Sequence, residues 1–194
     1  MSDIATASHY LNEAFPFDGP TVSYVNSAWA SPPLDAAMTV VSHRMVLVAA
    51  PLAAVPYTYA TRGSRPALEL AGTAAAAEIT SGLASFGLKA LIDRPRPYET
   101  LTTLRTPAGG EDSKSFPSGH AALSFAWAPV VAYDEPALAI PAYLLAGTIT
   151  FSRLYLGVHY PSDLVFGAII GLASGYGTIA LRESLIKSGV LPAR

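Results

Sequence analysis

After the first 37 positions the chain divides into five apolar stretches, each closed by a compact group of polar or turn-forming residues. The first runs from about Val40 to Ala60, carries Tyr57 and Tyr59 near its end, and meets the turn Thr61-Arg62-Gly63-Ser64-Arg65-Pro66. Aromatic residues followed by arginines suit a headgroup boundary. The second, Ala67 to Ile92, sets Glu69, Glu78 and Lys89 among small residues, which predicts a helix packed against protein as well as lipid. Glu78, Gly82, Ser85 and Lys89 share one stripe of that helix, and Glu78 reads as a hydrogen-bonding partner for a neighbouring helix. From Arg94 to Phe116 runs a polar connection whose prolines and glycines argue against helix. The third stretch, about Gly119 to Tyr133, and the fourth, about Ala137 to Leu154, are joined by Asp134-Glu135-Pro136, a turn short enough to force an antiparallel pair. The last, about Pro161 to Leu181, spaces Gly167, Gly171 and Gly175 four apart, a stripe along which another helix can approach closely.

Ahead of these stretches, Pro16, Pro20, Pro32 and Pro33 divide residues 1–37 into short interfacial helices. His9 reads as a solvated side chain, and His43 with Arg44 as the polar end of the next helix. The pattern as a whole predicts an all-α, membrane-embedded helical bundle with about five spans, a single domain over 1–194 with a substrate-side loop at 98–116. Alternation of five spans gathers the Arg62–Arg65 turn, the acidic turn and the tail with Arg182, Lys187 and Arg194 at one face. The chain start, the long loop and the Tyr155 to Pro161 connection gather at the other. Positive charge in the short connections makes the first face cytoplasmic.

Composition sharpens this picture. Only 13% of the 194 residues are charged, against about 25% in soluble domains, while the mean hydropathy of +0.36 is modest because small residues are abundant. A net charge of −2 without a basic run argues against nucleic acid as a partner. The absence of cysteine removes disulfides, thiolate metal sites and cysteine nucleophiles. The first twenty residues lack the basic start, apolar run and cleavage site of a removable secretion signal.

The candidate chemistry gathers at the face opposite the basic tail. In Pro117-Ser118-Gly119-His120 a proline, a glycine and the free N–H groups of a helix start describe an anion site with a histidine at its edge. Lys89 and Arg96 leave the second helix toward that side, Arg153 ends the fourth, and His159 follows six residues later. Pro161 suits a first helical position, which puts Asp163 in the first turn, where its carboxylate can reach back and fix the tautomer of an imidazole.

Taken together, Lys89-x6-Arg96-Pro97, Pro117-Ser118-Gly119-His120 and Ser152-Arg153-x5-His159-x3-Asp163 resemble the three-part signature of the type 2 phosphatidic acid phosphatase superfamily, in order and in spacing. The resemblance covers Lys89 to Asp163 and points to the small bacterial membrane members that dephosphorylate lipid phosphates. It implies that His159 attacks phosphorus to form a phosphohistidine, that Asp163 orients it, and that His120 protonates the leaving oxygen and then activates water. Lys89, Arg96, Ser118, Gly119 and Arg153 would cradle the phosphate, with no metal or other cofactor required. The implied partners are a lipid phosphate and membrane lipids, at the outer face of a bacterial cytoplasmic membrane; the oligomeric state and the particular lipid stay open. Two other readings share these residues: a vanadium-dependent haloperoxidase, whose larger framework has no counterpart here, and a lipid-phosphate binder without turnover, against which His120, His159 and Asp163 all stand. Arg105 and Lys114 read as solvated loop charges, with a second phosphate as the alternative.

Overall fold

The computed structural model describes residues 9–111 and 113–192, and Arg194 lies outside them. Residues 9–14 are helical. They are followed by α1 (Asp18–Ala28), α2 (Pro32–Val41), α3 (Arg44–Leu52), α4 (Ala54–Arg62), α5 (Ser64–Leu91) and α6 (Pro97–Thr100). Then come α7 (Gly119–Asp134), the 3-10 turn Pro136–Leu138, α8 (Ala139–Tyr155) and α9 (Pro161–Lys187). The described residues contain no strand, in keeping with an all-α bundle.

Five helical rods stand where five spans were expected, with two corrections. The first rod begins at Arg44 and not at Val40, because the chain turns at Ser42 and His43, where the His43 Nδ1 accepts from Met45 N at 3.2 Å and caps α3. Proline and the break at Ala53 then divide it into α3 and α4. By length and composition two helical stretches, Pro136–Tyr155 and Pro161–Lys187, can cross a membrane, and a third does so if Pro32–Val41 and Arg44–Arg62, bent by 62°, act as one span. The reason is physical: α5 carries charged residues along its length, and the 16 residues of α7 reach about 24 Å, short of a hydrocarbon core of about 30 Å. Outward-facing Leu68, Ile79, Leu83, Phe86, Ile140, Leu144, Val165 and Ile169 give the bundle an apolar exterior. That exterior explains how a chain of modest mean hydropathy suits lipid: its small residues are inside.

Helix α7 is the axis, packed against α5, α8 and α9. Trp127 and Val130 on α7 meet Leu70, Ala74 and Ala77 of α5 and Ile149 of α8 in one core. Its contact with α9 uses the glycine stripe: a Cβ at Gly167 would lie 2.5 Å from Ser118 O, one at Gly171 would strike Ala122 O, and one at Gly175 would strike Ala126 O and Pro129. The α9 backbone therefore lies directly against that of α7.

The two ends differ in the way the alternation of spans requires. At one, Arg182 grips Asp134 with both terminal nitrogens at 2.7 Å, and Arg65 donates to Pro192 O at 2.7 Å. At the other, Asn26 of α1 donates to Tyr155 O at 2.8 Å and to Arg105 O at 3.0 Å, tying the long loop to the α8–α9 connection. Pro97–Thr100 corrects the expectation of a helix-free loop: Pro97 sits at the first helical position and Glu99 accepts from Arg96 N at 2.6 Å, enough for one turn.

Overpacking the α7–α9 seam should separate from mere loss of glycine. Gly171→Leu is expected to destabilise the detergent-solubilised protein by about 1–3 kcal/mol or more, seen as a lower unfolding temperature, because the neighbour is backbone and cannot yield. Gly177→Leu, on the same helix with nothing within 4 Å, should leave that temperature unchanged or higher.

Candidate active site

Lys89, Arg96, Gly119, His120 and His159 line one cavity of about 490 Å³, together with Glu111. Each arrives from a different place: Lys89 from the last turn of α5, Arg96 from the extended segment after it, Gly119 and His120 from the first turn of α7, and His159 from the α8–α9 connection. The expectation that Lys89 and Arg96 leave one helix is corrected here, since α5 stops at Leu91 and the prolines hold 92–96 extended. Arg153 lines an adjoining cavity of about 390 Å³ that shares His120 and Glu111 with the first.

The start of α7 also differs in detail from its sequence reading. Ser118, not Pro117, borders the helix: it is the N-cap, its hydroxyl accepts from Ala121 N at 3.4 Å, and Pro117 precedes it after a cis peptide bond. Ser118 is fully buried, and its N–H donates to Asp163 O at 3.0 Å, which fixes the α7 start against the α9 start. Asp163 lies in the first turn of α9, where the sequence put it. Pro161 opens α9, and the Asp163 Oδ2 accepts from Tyr160 N at 2.9 Å.

Around His159 the charge is strongly positive. Its Nε2 lies 3.3 Å from Arg96 Nη1, and because a guanidinium only donates, this nitrogen is the acceptor. The proton therefore belongs on Nδ1, which lies 3.5 Å from Asp163 Oδ2, longer than a hydrogen bond. Full burial, followed by Arg96, Arg153 and Lys89, holds the imidazole well below its usual range, so it is neutral. His120 turns the other way. Its Nε2 lies 2.9 Å from the Ser42 carbonyl, which can only accept, so here Nε2 carries the proton.

The residue that sequence reading missed is Glu111. One carboxylate oxygen accepts from Arg96 Nη2 at 2.8 Å and the other pairs with Arg153 Nη2. Burial would raise its pKa, but Arg153 and then Arg96 outweigh that and draw it down to about 2. The carboxylate thus spans two guanidiniums inside the cradle. No spacing in the sequence signals this, because Glu111 sits in an irregular loop; the only hint was that three gathered cations lack a counter-ion. The side chains of Arg105 and Lys114 line neither cavity: Arg105 pairs with Asp35 at 3.0 Å and Lys114 with Asp93 at 2.7 Å, while the Lys114 carbonyl accepts from Lys89 Nζ at 2.5 Å. Glu78, expected to bond a neighbouring helix, instead lines the apolar half of the cavity with Leu47, Val48, Ile79 and Leu123. Among the described residues no three His, Asp or Glu side chains gather as a metal site.

Residues 66–187 match the profile of the PAP2 superfamily. The chain belongs to that superfamily. The lipid A 4'-phosphatase of Bacteroides thetaiotaomicron is 49% identical over 63 residues, 31% of this chain and 28% of that protein. The solved structure of Aquifex aeolicus LpxE superposes with a TM-score of 0.68 at 25% identity, covering 82% of this chain and 92% of the other. A transmembrane PAP2-type phosphatidylglycerolphosphate phosphatase from Bacillus subtilis superposes at 0.71, covering 94% and 93%, and at 23% identity speaks for the fold. The matched regions span between 28% and 48% of the length of the curated relatives. In this PAP2 chain Lys89, Arg96, Gly119, His120 and His159 line one cavity with Glu111, and Arg153 lines the cavity beside it.

Because Glu111 ties the loop to both guanidiniums, neutralising it should free the loop without disturbing the bundle. In Glu111→Gln, amide exchange is expected to rise over residues 101–116 and stay unchanged in α7, α8 and α9. The sign with pH follows from a folded-state pKa of about 2 against an ordinary 4.5. The anchor is complete above about pH 4.5 and is lost as pH falls through about 2.

Proposed function

We propose that this protein is a metal-independent phosphatase of lipid phosphates or diphosphates that works through a phosphohistidine. The observation that carries the reading is the lining of the cavity: Lys89, Arg96 and two imidazoles share it with the apolar side chains of Leu47, Val48, Ile79 and Leu123 from α3, α5 and α7. A phosphate can sit among Lys89, Arg96, Arg153, Ser118 and the N–H groups at Gly119, while the chain it is esterified to stays in the groove. The lipid A 4'-phosphatase named above favours the same substrate class.

The reaction runs in two displacements. The Nε2 lone pair of His159 attacks phosphorus in line with the ester oxygen; the P–O bond breaks, and His120, doubly protonated once the phosphate anion is bound beside it, gives one proton to the departing oxygen and is left neutral. His159, now bearing phosphate on Nε2, keeps its Nδ1 proton directed at Asp163. Water then attacks the phosphohistidine as His120 takes back a proton, the P–N bond breaks, and its electron pair returns to Nε2. For this to begin, Arg96 must leave Nε2 for the phosphate, and His120 must turn from the Ser42 carbonyl. Glu111 must also yield both guanidiniums to the incoming anion. The positive-inside pattern of Arg62, Arg65, Arg182 and Lys187 favours an active site facing the periplasm or cell exterior.

Phosphate release from phosphatidic acid, phosphatidylglycerol phosphate, undecaprenyl diphosphate and a lipid A phosphate, with and without a chelator, tests the reading. Turnover of at least one lipid, unaffected by the chelator, is expected. His159→Ala should remove turnover altogether, and His120→Ala should lower it by about 10²–10⁴-fold. Substantial activity in His159→Ala would remove the nucleophile assignment. Glu111→Gln should tighten inhibition by vanadate, since the internal competitor is gone; an unchanged inhibition constant would show that Glu111 does not compete for the cradle.

A further inference from the structure

Arg94, two residues before the signature arginine, touches neither cavity and is fully buried. All five of its N–H donors are used. Nη1 donates to Asp163 Oδ1 at 2.7 Å and to Ser162 Oγ at 2.8 Å. Nη2 donates to Asp18 Oδ2 at 2.8 Å and to Asn12 Oδ1 at 2.9 Å, and Nε donates to Asn12 Oδ1 at 3.2 Å. The guanidinium lies 4.1 Å from the centre of the Tyr160 ring. Asp18 closes the arrangement from the other side by accepting from Ser162 N at 3.0 Å and from the Ser162 hydroxyl.

We propose that Arg94, gripped by Asp18 and Asn12, is a positioning residue that holds the Asp163 carboxylate and, through it, the His159 imidazole for attack. Asp18 and Asn12 precede residues 66–187, so the N-terminal segment is a working part of the site although it lies outside the superfamily match. The argument is one of saturation. With Oδ1 held by Arg94 and Oδ2 by Tyr160 N and the Ser115 hydroxyl, Asp163 has one orientation, and its Oδ2 faces His159 Nδ1. Arg94 itself has one orientation because every donor has a fixed acceptor, two of them on the N-terminal segment. Two buried carboxylates, Asp18 and Asp163, share this single guanidinium, so its removal leaves both without a counter-ion.

This inference rests on the phosphatase reading, and its test keeps the two apart. The full chain in detergent is assayed on whichever lipid of the panel the wild type turns over, for kcat, KM and vanadate inhibition. Arg94→Gln should lower kcat by about 100-fold with KM and the vanadate constant within about threefold, since no cradle residue is touched; partner residues that orient a reacting imidazole carry losses of this order. Arg94→Lys should recover about tenfold of that loss, and Asp18→Asn, which keeps an acceptor for Ser162 N, should lower kcat by about tenfold. If Arg94→Gln fails to give monodisperse protein, Asp18→Asn decides. Unchanged kcat in Asp18→Asn and in whichever Arg94 variants fold, or a kcat loss matched by an equal loss of vanadate affinity, overturns the positioning role. Wild-type protein that releases no phosphate from any lipid overturns the phosphatase reading and this proposal with it, whereas an active wild type with unimpaired variants overturns the proposal alone.

Discussion

Two guanidiniums, Arg96 and Arg153, are buried within reach of one carboxylate, and much of the architecture at this end of the bundle serves to make that tolerable. A buried cation without a partner is strongly destabilising, and two held near each other and near Lys89 repel as well. Glu111 resolves the conflict in this state by bridging both. The long loop is thereby ordered by charge and by hydrogen bonds from Arg96 to the carbonyls of Ser113 and Val158, in a stretch rich in proline and glycine that has no helical ladder to order it. On the proposed reading, a site that stabilises a phosphoryl group is in conflict with itself whenever phosphate is absent, and an acidic side chain from a loop is a ready remedy because a loop can move where a helix cannot.

The two histidines converge because α7 and α9 are allowed to touch. With glycines at 167, 171 and 175 the two backbones come together, and the N–H of Ser118 can reach the carbonyl of Asp163. That contact brings the first turns of both helices to one place, so that His120 and the His159–Asp163 pair belong to a common site although they are separated by an antiparallel helix hairpin. Small residues in the seam and ionisable residues at its end are one design: the first sets the distance over which the second must act.

Much of this was legible in the sequence. Hydrophobic spacing located the rods, the glycine repeat located the seam, and Pro161 with Asp163 located the α9 start, because each is a local property of periodicity or backbone preference. Legibility failed where neighbours in space decide. The break at Ser42 and His43 depends on a cap formed by a histidine side chain. The turn at Pro97–Thr100 depends on one carboxylate reaching one N–H. Glu111 and Asp18 were invisible because their roles are defined only by the arginines they meet, far away in sequence, and an isolated acidic residue in a loop or a short helix carries no pattern. Arg94 was overlooked for a related reason: in sequence it marks only the start of a polar connection, and its acceptors at 12, 18, 162 and 163 lie far from it.

The placement of the polar groups also explains why the groove points the way it does. Charged side chains are expensive within hydrocarbon, so the cradle occupies helix ends and loops, where solvent and dipoles can support it. On the proposed reading, the lipid chains of a substrate have the opposite preference and would stay beside Leu47, Val48, Ile79 and Leu123, which line the same cavity. A lipid phosphate can satisfy both at once only by lying across the boundary with its head among the arginines and its tail against α3, α5 and α7. A water-soluble phosphate would gain the first set of contacts and leave the apolar side chains of the cavity against water, which is the physical basis for proposing a lipid.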